Sequence, residues 1–173
     1  ENLHLKKLTY RLLCARLREK YPGSKLLLAS WDLWMFYTSE EVRELLTQLD
    51  PEQVVLFDYT SDSARESNLQ TWGVENRFPY VFGIFHAYQP SNEIRGDYQM
   101  LTQRLNRIKD DPFCKGVVLW PELSHGDPFM IEFFARNAWE VSGKPVEEQL
   151  ADFCRDRYTH GEEMRELWER VLP

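Results

Sequence analysis

This sequence has no long hydrophobic run. Its longest apolar stretch, Tyr80 to Phe85, falls far short of the ~20 residues a membrane-crossing helix needs. It also lacks any excess of basic residues: 21 Lys and Arg stand against 28 Asp and Glu, for a net charge of −7. No basic stripe appears, so a nucleic-acid partner is not expected. Cysteine is scarce. Cys14, Cys114 and Cys154 are widely spaced, with no CxxC pair and no Cys/His spacing of the kind zinc requires. They suit buried, reduced thiols and a reducing compartment such as the bacterial cytoplasm. No GxGxxG or Walker-type loop follows an apolar run, which lowers a nucleotide-binding reading. Neither a metal nor an organic cofactor is expected. Solenoid repeats and low-complexity tracts are absent too. The chain opens at Glu1 directly on a helical pattern, as expected of a piece of something longer.

What is plentiful is aromatic side chain, at 14% with six Trp. Such residues serve either a dense core or a stacking surface. Their placement depends on the order of elements. Leu5, Leu8, Leu12, Leu13 and Leu17 recur at helical spacing between Leu3 and Tyr21. Lys25–Trp31 then reads as a strand. Thr38 and Glu41 form a capping box ahead of a helix using Val42, Leu45, Leu46 and Leu49. Further strands are expected at Val54–Tyr59, Tyr80–His86 and Gly116–Trp120, with a long loop and short helix over Thr60–Arg77 and a helix over Asp97–Lys109. Asp127-Pro128 marks a helix start for Phe129–Val141, and helices over Val146–Tyr158 and Glu162–Leu172 close the sequence.

Strands that alternate with helices imply a parallel sheet, and the nearly all-apolar strands fit one covered on both faces. Two folds meet this description: an open doubly wound sheet and half of a (β/α)8 barrel. The barrel places its chemistry at the C-terminal strand ends. Those ends hold Trp31 and Asp32, Asp58 and Tyr59, His86, and Trp120 and Glu122. Carboxylates beside aromatic faces are the composition of a sugar site. Each residue also has a plainer reading. Asp32 or Asp58 would cap the next segment, His86 would be a satisfied core histidine, and Trp34 and His125 would be loop residues.

The ordered motifs resemble the alpha-N-acetylglucosaminidase family, glycoside hydrolase family 89. The strand ending in Trp31 is similar to the family's Trp-bearing strand, and Leu56-Phe57-Asp58 to its Leu-Asp strand. Phe78-Pro79-Tyr80 through Phe85-His86 resembles the strand that ends in His-Asn. Trp120-Pro121-Glu122 resembles its Pro-Glu-Gly motif, and Ala138-Trp139 and Arg157-Tyr158 its Ala-Trp and Arg-Tyr-Gly elements.

The resemblance implies a retaining exo-glycosidase with Glu122 as nucleophile. Trp31, Trp34, Asp58, His86 and His125 would bind the substrate, a glycan or glycoside. The general acid/base is expected on an earlier strand, just before Glu1, so the remainder of the parent chain is the second expected partner. Two departures touch the site. The family's His-Asn and Gly pair is His86-Ala87-Tyr88-Gln89-Pro90 here, and the Gly after Pro-Glu is Leu123. Both place recognition of an N-acetyl group in doubt and leave open a glycan-binding or scaffolding domain without hydrolysis. The expected fold is the C-terminal half of a (β/α)8 barrel over residues 1–126. Helices over 127–173 would cover its outer wall with Phe133, Phe134, Trp139, Phe153, Trp168 and Leu172.

Overall fold

Four short apolar runs form strands, and the amphipathic segments between and after them form helices. A computed structural model of the chain describes residues 2–63, 66–86, 96–122, 126–140 and 142–172. In chain order the elements are α1 (Leu3–Lys20), β1 (Leu26–Ala29), α2 (Ser30–Phe36), α3 (Ser39–Leu46), β2 (Val54–Asp58), α4 (Asn68–Thr71), β3 (Tyr80–Ile84), α5 (Tyr98–Ile108), β4 (Cys114–Leu119), α6 (Pro128–Trp139), α7 (Val146–Arg157) and α8 (Gly161–Val171). The sheet order is β1-β2-β3-β4. Leu26 pairs with Val54 and Leu56 with Tyr80 in parallel register. Strands thus add one after another in sequence order, without the switch point of a doubly wound sheet.

The chain divides into two compact units, residues 1–83 with 111–118, and residues 84–110 with 119–173. The first unit is built on the strands. Val54, Leu56, Tyr80 and Phe82 are buried there with Leu45, Leu46 and Trp72. The capping box of α3 forms as expected: Thr38 Oγ1 accepts from Glu41 N at 3.2 Å, and Thr38 N donates back to Glu41 Oε2 at 3.0 Å. Asp111 fixes the entry to β4 by accepting from Phe113 N at 2.8 Å and Tyr80 Oη at 2.7 Å. Gly83 is required by close approach, since a Cβ there would lie 2.7 Å from the Val118 carbonyl oxygen.

Two expectations change in this unit. The first strand stops at Ala29, and Ser30 to Phe36 is helical, so Trp31, Asp32 and Trp34 lie on α2, which follows the strand directly, and not on the strand itself. Ser30 turns inward to bond Asp58, Leu33 is buried, and Asp32 in the first turn suits the positive end of the helix. The second change concerns α1. Its leucines do recur at helical spacing, but Leu5, Leu8, Leu12 and Leu13 are exposed. The helix buries Cys14 and also makes polar and cationic contacts with other segments. Lys6 Nζ donates to the Phe36 carbonyl at 3.0 Å and lies 3.8 Å from the centre of the Tyr37 ring. Lys7 pairs with Glu44, and Arg18 with Asp50 at 3.0 Å.

The second unit has an aromatic core. Tyr98 lies 5.1 Å from Phe129 and 5.0 Å from Phe133, measured between ring centres. Phe153 lies 5.3 Å from Phe129 and meets Trp168 edge-on at 5.8 Å. Much of the aromatic surplus is therefore core packing. Trp139 departs from its expected role, at 95% exposed on the last turn of α6. All three cysteines are unpaired, with Cys14 and Cys154 buried and Cys114 half-buried, and burial pushes their thiols up from the ordinary range. No helix among the described residues is long and apolar enough to cross a membrane.

Candidate functional site

Asp58 is the last residue of β2 and only 1% exposed. A buried carboxylate is costly unless donors surround it, and here they do. Oδ1 accepts from Ser30 Oγ at 2.8 Å, Thr60 Oγ1 at 3.1 Å, Thr60 N at 3.3 Å and Asn68 Nδ2 at 3.3 Å. Oδ2 accepts from Ser61 Oγ at 3.2 Å. One side chain thus ties the β1–α2 junction to the loop after β2 and to the start of α4. The bond to Thr60 N, two residues on, is an Asx turn. Trp31 and Trp34 are half-buried on α2, directly after Ser30.

In the second unit, His86 lies two residues beyond the end of β3 and is 2% exposed. Its Nε2 is 3.0 Å from Asp127 Oδ2, and Asp127 is fully buried. The other oxygen, Asp127 Oδ1, accepts from Met130 N at 3.1 Å and caps α6, with Pro128 in the first turn as expected. Trp120 N donates to the Ile84 carbonyl at 3.0 Å, which aligns the ends of β3 and β4. Trp120 is 49% exposed, and Glu122 follows it as an exposed residue just beyond the strand. His125 lies outside the described residues.

The structure therefore distributes the sequence-predicted residues as Trp31, Trp34 and Asp58 in the first unit and His86 and Glu122 in the second. Sequence reasoning missed the donors around Asp58, namely Ser30, Thr60, Ser61 and Asn68, although Asp58-x-Thr60-Ser61 carries the signature of an Asx turn. It also read Asp127 only as a helix cap. Its contact with His86 spans 41 residues of sequence, a separation no local pattern encodes. Among the described residues, no group of three or more His, Cys, Asp or Glu side chains is arranged to hold a metal ion.

Residues 3–141 match the family model of the alpha-N-acetylglucosaminidase (NAGLU) tim-barrel domain. The chain belongs to this family. The parallel α/β sheet in sequential strand order agrees with the family's barrel fold, and the family is one of glycosidases. No curated protein matches the chain.

Proposed function

We propose that this chain supplies the C-terminal half of a (β/α)8 barrel in a retaining glycosidase that removes a terminal sugar from a glycan, as alpha-N-acetylglucosaminidases do. Residues 1–126 contribute the barrel and 127–173 the helical segment that follows. The observation that carries this reading is the exposed Glu122 just past the end of β4, in a chain of a glycosidase barrel family. C-terminal strand ends are where such barrels hold their catalytic groups.

In this reading Glu122 attacks the anomeric carbon, and a second carboxylic acid, expected on a strand that precedes β1, protonates the departing oxygen. The covalent glycosyl-enzyme is then hydrolysed by water that the second group activates. The two carboxyl groups of a retaining site stand about 5–5.5 Å apart. Trp31 and Trp34 on α2, together with His86 and His125, are assigned to sugar binding in this reading. Asp58, with its oxygens occupied by Ser30, Thr60, Ser61 and Asn68, serves that binding by holding the β1–α2 junction. No metal or nucleotide takes part.

Replacing Glu122 by Gln removes the nucleophile at nearly constant shape. In the full-length protein, Glu122→Gln is expected to lower aryl-glycoside hydrolysis by at least ~10³-fold with unchanged circular dichroism. Wild-type turnover in this variant removes Glu122 from the mechanism. A second reading, a glycan-binding domain without hydrolysis, draws on Leu123 and Ala87, which replace the family's Gly and Asn beside the site. It predicts saturable glycan binding by a full-length protein that turns over no glycoside.

A further inference from the structure

We propose that Asp127 is a positioning residue, whose carboxylate fixes the tautomer and orientation of His86. The inference rests on the proposed sugar-binding role of His86 for its functional consequence, but its structural half stands apart from that role. Asp127 does more than a helix cap requires. Capping α6 needs one oxygen, and Oδ1 supplies it to Met130 N at 3.1 Å. Asn, Ser or Thr would do the same without a charge. A fully buried carboxylate in that position needs further compensation. It finds this in the N-terminus of a 12-residue helix and in the imidazole edge 3.0 Å from Oδ2.

A carboxylate only accepts, so Nε2 must carry the proton it shares with Oδ2. In the neutral ring Nδ1 is then the acceptor. The helix end holds the carboxylate, and the carboxylate holds the ring: the orientation of His86, on the segment after β3, is set by the first turn of α6. Tyr98 is 6% exposed, and its phenol is pushed well above its ordinary range, first by burial and then by the Asp127 charge. Its hydroxyl has no hydrogen-bond partner among the described residues, so the phenol does not compete for the oxygen that His86 uses.

The test uses the chain labelled with 15N-histidine, with the His86 signals assigned by their loss in His86→Gln. At a pH where the ring is neutral, the wild-type spectrum should show His86 in the Nε2–H tautomer alone. A predominantly Nδ1–H ring overturns the proposal without recourse to any variant. Asp127→Asn keeps the cap and removes the charge, so helix content should persist while the single tautomer gives way to a mixture. An unchanged His86 spectrum in this variant overturns the proposal. In the active full-length enzyme the same substitution should raise KM roughly tenfold, with a smaller effect on kcat, because it loosens a binding group. A changed spectrum with unchanged KM removes the positioning role. A full-length protein that hydrolyses nothing counts against the glycosidase reading alone, because the spectrum decides the link between Asp127 and His86 by itself.

Discussion

Two buried acids organise the two units by different means. Asp58, 1% exposed, is surrounded by neutral donors: three hydroxyls, one backbone N–H and one amide. Asp127, fully buried, has a helix N-terminus on one oxygen and an imidazole on the other. The first arrangement is a fastener. Its partners do not titrate, and each closes a loop or junction onto β2. The second joins a helix N-terminus to an imidazole through the two oxygens of one carboxylate. Burial alone does not separate them. The nature of the donors does.

Substitution can break or sharpen this contrast. The largest loss of stability is expected for Asp58→Ala, about 3–5 kcal/mol in urea unfolding, because it strands several buried donors at once. Asp127→Ala should cost about 2–3 kcal/mol, from a lost cap and one lost imidazole contact. If Asp127→Ala proves the costlier of the two, the fastener reading of Asp58 fails. Thr38→Ala provides the scale for a simple cap, at about 1 kcal/mol, since its capping box is closed by Glu41 and involves neither acid. A loss of similar size for Asp127→Ala would mean that the imidazole contact adds nothing to stability.

These two clusters also show how far the sequence can be read. Local chemistry was legible wherever the partner lay a few residues away. The Thr38–Glu41 box, the Asp127 cap with Pro128 in the first turn, and the short helix inside the Thr60–Arg77 loop all appear in the structure. The period of alternating strands and helices gave the parallel sheet. What depends on contacts across the fold was not legible. Trp31 sits on a helix that begins at Ser30, whose hydroxyl bonds Asp58, 28 residues away. The leucines of α1 recur at helical spacing, yet Leu5, Leu8, Leu12 and Leu13 are exposed, while Lys6, Lys7 and Arg18 find partners on other segments. Glu122 is singled out by its Trp-Pro-Glu setting near a strand end, and its role remains the proposal made above. Asp127 was seen as a cap and missed as a partner of His86, since one side chain performs both tasks and only the first leaves a local trace.

The central claim is that Glu122 forms a covalent bond to the sugar. Incubating the full-length protein with an activated fluoroglycoside, followed by peptide mass spectrometry, tests it most directly. The account predicts one glycosyl adduct, on the peptide that contains Glu122, with loss of activity in step with labelling. An adduct on a different carboxylate, or turnover that inverts the anomeric centre with no adduct at all, would contradict it.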